Sequence, residues 1–142
     1  AGLAPTLGTE ERAHFYKWLM WLTNTLQATL ITYFYPERWV NADNSTGAAQ
    51  VKAQAEIKVG VLLDQLDAEL ARQGQLHDKP WLLGANYSVV DIYTLMLCRW
   101  TRNFESTPAR DKAHLGPYLQ RMLARPAVVK AFEVEALMQP WV

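Results

Sequence analysis

Side chains able to do acid–base, nucleophilic or metal chemistry are few in this chain. Those whose type or spacing invites a closer look are three histidines (His14, His77 and His114), one cysteine (Cys98), the neighbouring carboxylates Asp64 and Asp67, and Asp91. The histidines form no His-x-x-x-His or His-Glu-x-x-His pair, and the lone cysteine has no partner, so no metal ligands are expected. No Gly-x-Ser-x-Gly elbow, phosphate-cradling glycine loop or dinucleotide fingerprint occurs, and no catalytic residue is assigned. Asp64 and Asp67, three residues apart on a helical run, read as a solvated edge, because a glycosidase pair needs a sugar cleft around it. His14 reads as a partly exposed helix residue. His77 and His114 fall in or beside loops and receive no role. Cys98 lies in an apolar run and reads as a buried, inert thiol.

Asp91 has a structural explanation. In Leu82-Leu83-Gly84-Ala85-Asn86-Tyr87-Ser88-Val89-Val90-Asp91-Ile92 a glycine turn leads into Ser-x-x-Asp and then an apolar helical run. The Ser88 hydroxyl is placed to accept from the Asp91 backbone N–H, and the Asp91 carboxylate to accept from the Ser88 N–H, a capping box with Asp at its last position. Tyr87 and Ile92 are spaced for a hydrophobic staple. On the cap alone, Asp91→Ala is expected to cost roughly 1–2 kcal/mol.

The elements that must position these groups follow from periodicity. Thr9 followed by Glu10 and Glu11 starts a helix that runs to about Phe34, where Tyr35-Pro36 stops it. Phe15, Trp18, Leu19, Leu22, Leu26, Leu30 and Tyr33 form its apolar stripe. Met20, Trp21 and Ile31 lie off that stripe, so this helix is either central or faces a second apolar partner. Residues 36–47 read as a loop. A second long helix is expected from Ala48 to about Gln73, with Val51, Ala55, Val59, Leu62, Leu63, Leu66 and Leu70 inward and Gly74 as its C-cap. Gly60 within it costs about 1 kcal/mol against Ala, which either a close helix crossing or a tolerated imperfection accounts for. His77 to Ala85 reads as a connection.

The third helix starts at Ser88 and carries Ile92, Leu95, Met96, Cys98 and Trp100. A fourth spans about Asp111 to Ala124 with Leu115, Tyr118, Leu119 and Met122 inward. Arg125-Pro126 opens a fifth, continued by Ala127, Val128, Ala131, Phe132 and Leu137. No period-two alternation or hairpin dipeptide occurs. The expected fold is all-α, a bundle of about five helices that begins with a long antiparallel pair and forms one domain over residues 1–142.

Bulk properties narrow the function. The 142 residues include 14 basic and 14 acidic side chains, for a net charge of zero, so nothing favours nucleic acid or an anionic membrane as partner. Half the residues are hydrophobic, yet no uninterrupted apolar stretch reaches a membrane span. One cysteine gives no internal disulfide and no sign of an oxidising compartment. Ala1-Gly2-Leu3-Ala4-Pro5 lacks the basic start of a signal peptide and an initiating methionine, and it reads as the interior of a longer frame or a processed product. Tyr93, Trp100 and Phe104 are placed to line an apolar pocket with the first helix, or simply to fill the core.

Taken together, these residues resemble the C-terminal helical domain of bacterial cytosolic glutathione transferases. The resemblance rests on Glu11-Arg12-Ala13 before Trp18-Leu19, Tyr35-Pro36, Leu66-Asp67-x-x-Leu70 and Trp81-Leu82-Leu83-Gly84. It continues through Tyr87-Ser88-Val89-Val90-Asp91-Ile92, Trp100, Tyr118-Leu119 and Arg125-Pro126-Ala127-Val128. Gly-x-x-Tyr-Ser-x-x-Asp is the specific part, and the order covers nearly the whole chain. One departure stands out. Beta-class bacterial members often carry His-Lys late in the first helix, and alignment on Trp18 puts Gln27-Ala28 there, which speaks against beta-class chemistry through that pair.

The resemblance implies a two-domain parent whose N-terminal thioredoxin-like domain binds glutathione and carries the thiol-activating residue. This domain would supply the wall for a small hydrophobic electrophile and part of a homodimer interface, in the cytoplasm. Thr23, Gln27, Ile31, Trp100 and Phe104 are the candidates for that wall. Neither a catalytic residue nor a cofactor of its own is expected in this chain. Glutathione would be the co-substrate of the parent, and the chain alone is not expected to be catalytic. The alternatives are a non-catalytic protein–protein interaction module of the same fold and a ligand-binding helical domain of unrelated descent.

Overall fold

The computed structural model describes residues 2–77 and 80–142. Five helices account for the described architecture. α1 is a continuous helical run over residues 10–34, made of an α-helical part Glu10–Trp21, a π-helical stretch Leu22–Gln27 and a second α-helical part Ala28–Phe34. α2 spans Ser45–His77, α3 Val89–Arg99, α4 Leu115–Leu123 and α5 Pro126–Val134. Short 3₁₀ turns at Pro36–Trp39 and Ala109–Asp111 follow α1 and precede α4.

Local chemistry explains the ends. The Thr9 hydroxyl accepts from the Arg12 N–H at 3.2 Å, and Glu10 and Glu11 occupy the positive first turn of α1. Tyr35-Pro36 breaks the run where the sequence places the break. α2 begins three residues before the expected Ala48, because the Asn44 side chain accepts from the Gly47 N–H at 2.8 Å and caps it there. It also runs past the expected stop at Gly74 to His77, since a glycine inside a helix lowers stability without ending it. Residues 78 and 79 of the expected connection, and Ala1, lie outside the described residues. α4 starts at Leu115, four residues later than expected, after the 3₁₀ turn at Ala109–Asp111. Pro126 takes the first helical position of α5 as expected, but the helix ends at Val134, before Leu137.

At 33 residues α2 is about 50 Å long. It pairs antiparallel with α1: Lys52 lies over the Tyr33 ring at one end, while Glu69 and Arg72 share a crevice with Glu10 and His14 at the other. The expected stripes form the core. Leu22, Leu26 and Leu30 of α1 join Val59, Leu63 and Leu66 of α2, Leu97 and Cys98 of α3, and Leu115, Tyr118, Leu119 and Met122 of α4, all buried. Gly60 is explained by a close approach of a loop and not by a helix crossing: a Cβ there would meet the Thr107 hydroxyl at 3.0 Å. Gly116 lets α4 sit against the backbone before it, where a Cβ would meet the Arg110 carbonyl oxygen at 2.4 Å.

Asp64 and Asp67 are more than a solvated edge. Asp64 pairs with Lys112, and Asp67 Oδ1 accepts from both the His114 and Leu115 N–H groups at 2.7 Å. A carboxylate on α2 thus serves as the N-terminal cap of α4, whose own first residues offer none. Among the described residues, no helix is long and apolar enough to cross a membrane.

Candidate functional site

The start of α3 is the most tightly specified point of the fold. The Ser88–Asp91 capping box forms: Asp91 Oδ2 accepts from the Ser88 N–H at 2.8 Å, and the Ser88 hydroxyl accepts from the Val90 N–H at 3.2 Å. Asp91 does more than cap. Its Oδ1 accepts from the Leu82 N–H at 3.0 Å and from the Tyr118 hydroxyl at 2.9 Å, and its Oδ2 from the Ser88 hydroxyl at 3.2 Å. The carboxylate is fully buried and ties α3 to α4 and to the 81–84 turn. That turn closes by reciprocal Trp81–Gly84 backbone bonds of 3.0 and 2.9 Å, with Gly84 at φ +104°, a conformation that favours glycine.

Burial pushes the Asp91 carboxyl above its ordinary value, and its donors only partly offset this. Tyr118 is pushed well up by burial first and by Asp91 second, so it stays a neutral donor. Tyr87, the residue before the cap, packs back onto the 81–84 turn and against Arg125. The Tyr87 ring lies 5.1 Å from Trp81, the Arg125 guanidinium sits 3.6 Å from the Tyr87 centroid, and Ile92 is 39% exposed. Asp91 is therefore a structural carboxylate, saturated with donors and closed to solvent.

A half-buried seam runs along α1 and the neighbouring edge of α3. Thr23, Gln27 and Ile31 recur every fourth residue along one half-buried flank of α1. α3 crosses this flank at the π-helical stretch. Threonines in and just after the stretch bond back four residues, Thr23 to the Leu19 carbonyl and Thr29 to the Thr25 carbonyl, both at 2.8 Å. Such back-bonding loosens and bends a helix, and π turns concentrate where helices serve a site. Across the flank, the Tyr93 hydroxyl donates to Gln27 Oε1. Toward the far end, the Phe34 and Trp100 rings meet edge to face, their centroids 6.1 Å apart.

Of the five sequence candidates, Thr23, Gln27, Ile31 and Trp100 are half-buried along this seam. Phe104 is buried in the core, its ring 4.3 Å from Tyr33. Around the seam are five large apolar side chains with substantial exposure, Met20 and Phe34 on α1 and Val89, Ile92 and Met96 on α3. Met20 and Ile31 are two of the residues that fell off the α1 stripe. The third, Trp21, packs edge to face on Trp18 instead, at 5.3 Å. At spacings of four, three and four, Val89, Tyr93 and Met96 of α3 and Trp100 just after it form a second apolar stripe, whose only signal in the sequence is that helical spacing. The Gln27–Tyr93 bond, 66 residues apart in sequence, left no such signal. A separate groove of about 730 Å³ between α1 and α2 is lined by Thr25, Thr29, Trp39 and Lys58 among others, and holds none of the five candidates. Among the described residues, no cluster of His, Cys, Asp or Glu could hold a metal ion.

Comparison with known proteins places this geometry. Residues 22–126 match the family described as glutathione S-transferase, C-terminal domain. A tetrachloro-p-hydroquinone reductive dehalogenase from Sphingobium chlorophenolicum is 36% identical over 106 residues, which covers 74% of this chain and 39% of that protein. A beta-class glutathione S-transferase from Sphingomonas chungbukensis superimposes with a TM-score of 0.75 at 29% identity, over 96% of this chain and 60% of that one. A sphingomonad glutathione S-transferase complexed with glutathione gives 0.74 at 27% identity, with the same two coverages. The chain spans about two fifths of the length of the curated relatives it matches. With a family match across most of its length and the same fold in both transferase structures, the chain belongs to the glutathione S-transferase family as an all-helical C-terminal domain.

Proposed function

We propose that this chain is the co-substrate-facing helical domain of a glutathione transferase, and that the α1–α3 seam is its wall for a small hydrophobic electrophile. The observation that carries the reading is the seam itself. Five exposed apolar side chains on two adjacent helices surround half-buried Thr23, Gln27, Ile31 and Trp100, the composition of a ligand wall with one polar pair in it. In this reading Phe104 supports the wall from behind through Tyr33. Glutathione itself would be bound by a thioredoxin-like domain, which also supplies the thiol-activating group. The helical domain contributes shape and orientation and, by itself, no catalysis. The transferase works as a homodimer in the cytoplasm.

The test has two arms. Calorimetry of the 142-residue chain with glutathione is expected to show no binding, and a saturable heat would overturn the division of labour. Joined to a glutathione transferase thioredoxin-like domain, the chain is expected to support conjugation of 1-chloro-2,4-dinitrobenzene. Ile31→Ala should then raise KM for the electrophile and leave KM for glutathione unchanged. Equal changes in both would refute the wall assignment.

A further inference from the structure

The α1–α3 seam contains a single polar feature that spans both helices, and its geometry is directional. The Tyr93 hydroxyl donates to Gln27 Oε1. That bond fixes the carboxamide plane from across the helix crossing. Among the described residues, Gln27 Nε2 donates to no protein acceptor. The neighbouring Thr23 hydroxyl has no proton left for a ligand, because Oγ1 donates to the Leu19 carbonyl at 2.8 Å, and it can only accept. Of Thr23, Gln27 and Tyr93, the Gln27 amide is therefore the group with a donor left for a ligand, and large apolar side chains surround it. A lone donor among apolar groups discriminates strongly, since a ligand without an acceptor covers it and leaves it unpaired.

The geometry points to Gln27 as a specificity-determining residue that selects aromatic ligands bearing a carbonyl-type acceptor oxygen, with Tyr93 as its positioning residue. The aromatic requirement comes from the surroundings. Trp100 and Phe34 present an edge-to-face pair at one end of the seam, and Met96 supplies a polarisable side chain beside it. A flat ring fits such a surface, and an oxygen on that ring is the acceptor the Gln27 amide lacks. Tyr93 acts only through Gln27. Without its hydroxyl the carboxamide is free to rotate, and the donor is no longer aimed. This inference rests on the wall assignment proposed above.

The test uses acetophenone and ethylbenzene, two probes of nearly the same shape of which only the first carries an acceptor oxygen. Binding to the 142-residue chain is followed by ¹H–¹⁵N correlation spectra, with the Gln27 side-chain amide as reporter. Both probes should shift resonances of Gln27, Ile31 and Trp100, and acetophenone alone should move the Gln27 Nε2–H₂ pair downfield. Gln27→Leu keeps the volume and removes the donor. It should lower the acetophenone-to-ethylbenzene affinity ratio about five- to ten-fold. Tyr93→Phe should lower the same ratio about two- to five-fold with ethylbenzene affinity unchanged, a split that loosened packing would not produce. If neither probe shifts the seam, the wall assignment itself is overturned. If both probes bind there and the ratio is unchanged in Gln27→Leu, the wall stands and the donor role is refuted. If only Tyr93→Phe leaves the ratio intact, the positioning role is refuted.

Discussion

Replacing Asp91 should cost far more than the loss of a helix cap. In the fold its carboxylate accepts from two backbone N–H groups and two hydroxyls, Leu82 and Ser88 at 3.0 and 2.8 Å and Tyr118 and Ser88 at 2.9 and 3.2 Å, with no access to water. In Asp91→Ala the Ser88 hydroxyl can turn to another partner. The Leu82 and Ser88 N–H groups and the Tyr118 hydroxyl are left buried without an acceptor, at about 1–3 kcal/mol each before relaxation. With partial relaxation the expected loss is about 3–5 kcal/mol, two to three times the cost of the cap by itself. Urea unfolding followed by tryptophan fluorescence reads this directly. With a slope on the order of 2 kcal/mol per molar, the midpoint should fall by about 2 M at unchanged slope. Asp91→Asn keeps one oxygen for Leu82 and Tyr118 but turns an amide toward the Ser88 N–H, and should lose about half as much. A midpoint fall of no more than about 1 M in Asp91→Ala would refute the four-donor account and leave only the cap.

Other consequences can be checked on the same chain. Because the folded-state Asp91 carboxyl lies above its ordinary value, the folded state holds that proton more tightly than the unfolded chain. The stability of wild type relative to Asp91→Asn should therefore be highest in acid and fall as pH rises from about 4 upward through the raised value; a difference that grows with pH would contradict this. Asp67→Ala removes the acceptor for the His114 and Leu115 N–H groups and should cost about 1–2 kcal/mol in a thermal melt. Burial pushes the Cys98 thiol up to about 12, so an aromatic disulfide reagent at pH 8 should label it only at the rate of unfolding, and rapid native labelling would refute its burial. Gly116→Ala drives a methyl into the Arg110 carbonyl and should destabilise by about 1–3 kcal/mol despite the better helix propensity of alanine.

What the sequence by itself determined was much of what short-range periodicity and local hydrogen bonding govern. Thr9, Tyr35-Pro36, Ser88-x-x-Asp91 and Arg125-Pro126 mark helix boundaries within a few residues, because a cap or a proline acts on the turn it belongs to. The α1 and α2 stripes name core residues, Val51 at the open groove excepted, because the helical period fixes which side chains share a face. The same logic left Met20 and Ile31 off the stripe, the trace of a second apolar surface, and the Gly-x-x-Tyr-Ser-x-x-Asp stretch was enough to suggest the family.

Only the tertiary structure decided which distant groups meet. Asp91 finds Tyr118 and Leu82, Asp67 caps α4 from another helix, and Tyr93 holds Gln27, across separations of 27, 9, 48 and 66 residues, the third counted to Leu115. It also set Tyr87 against Trp81 and Arg125, and sank Phe104 against Tyr33. Such pairings depend on how the helices cross. A local pattern constrains which face a residue occupies but not which residue another helix brings opposite it.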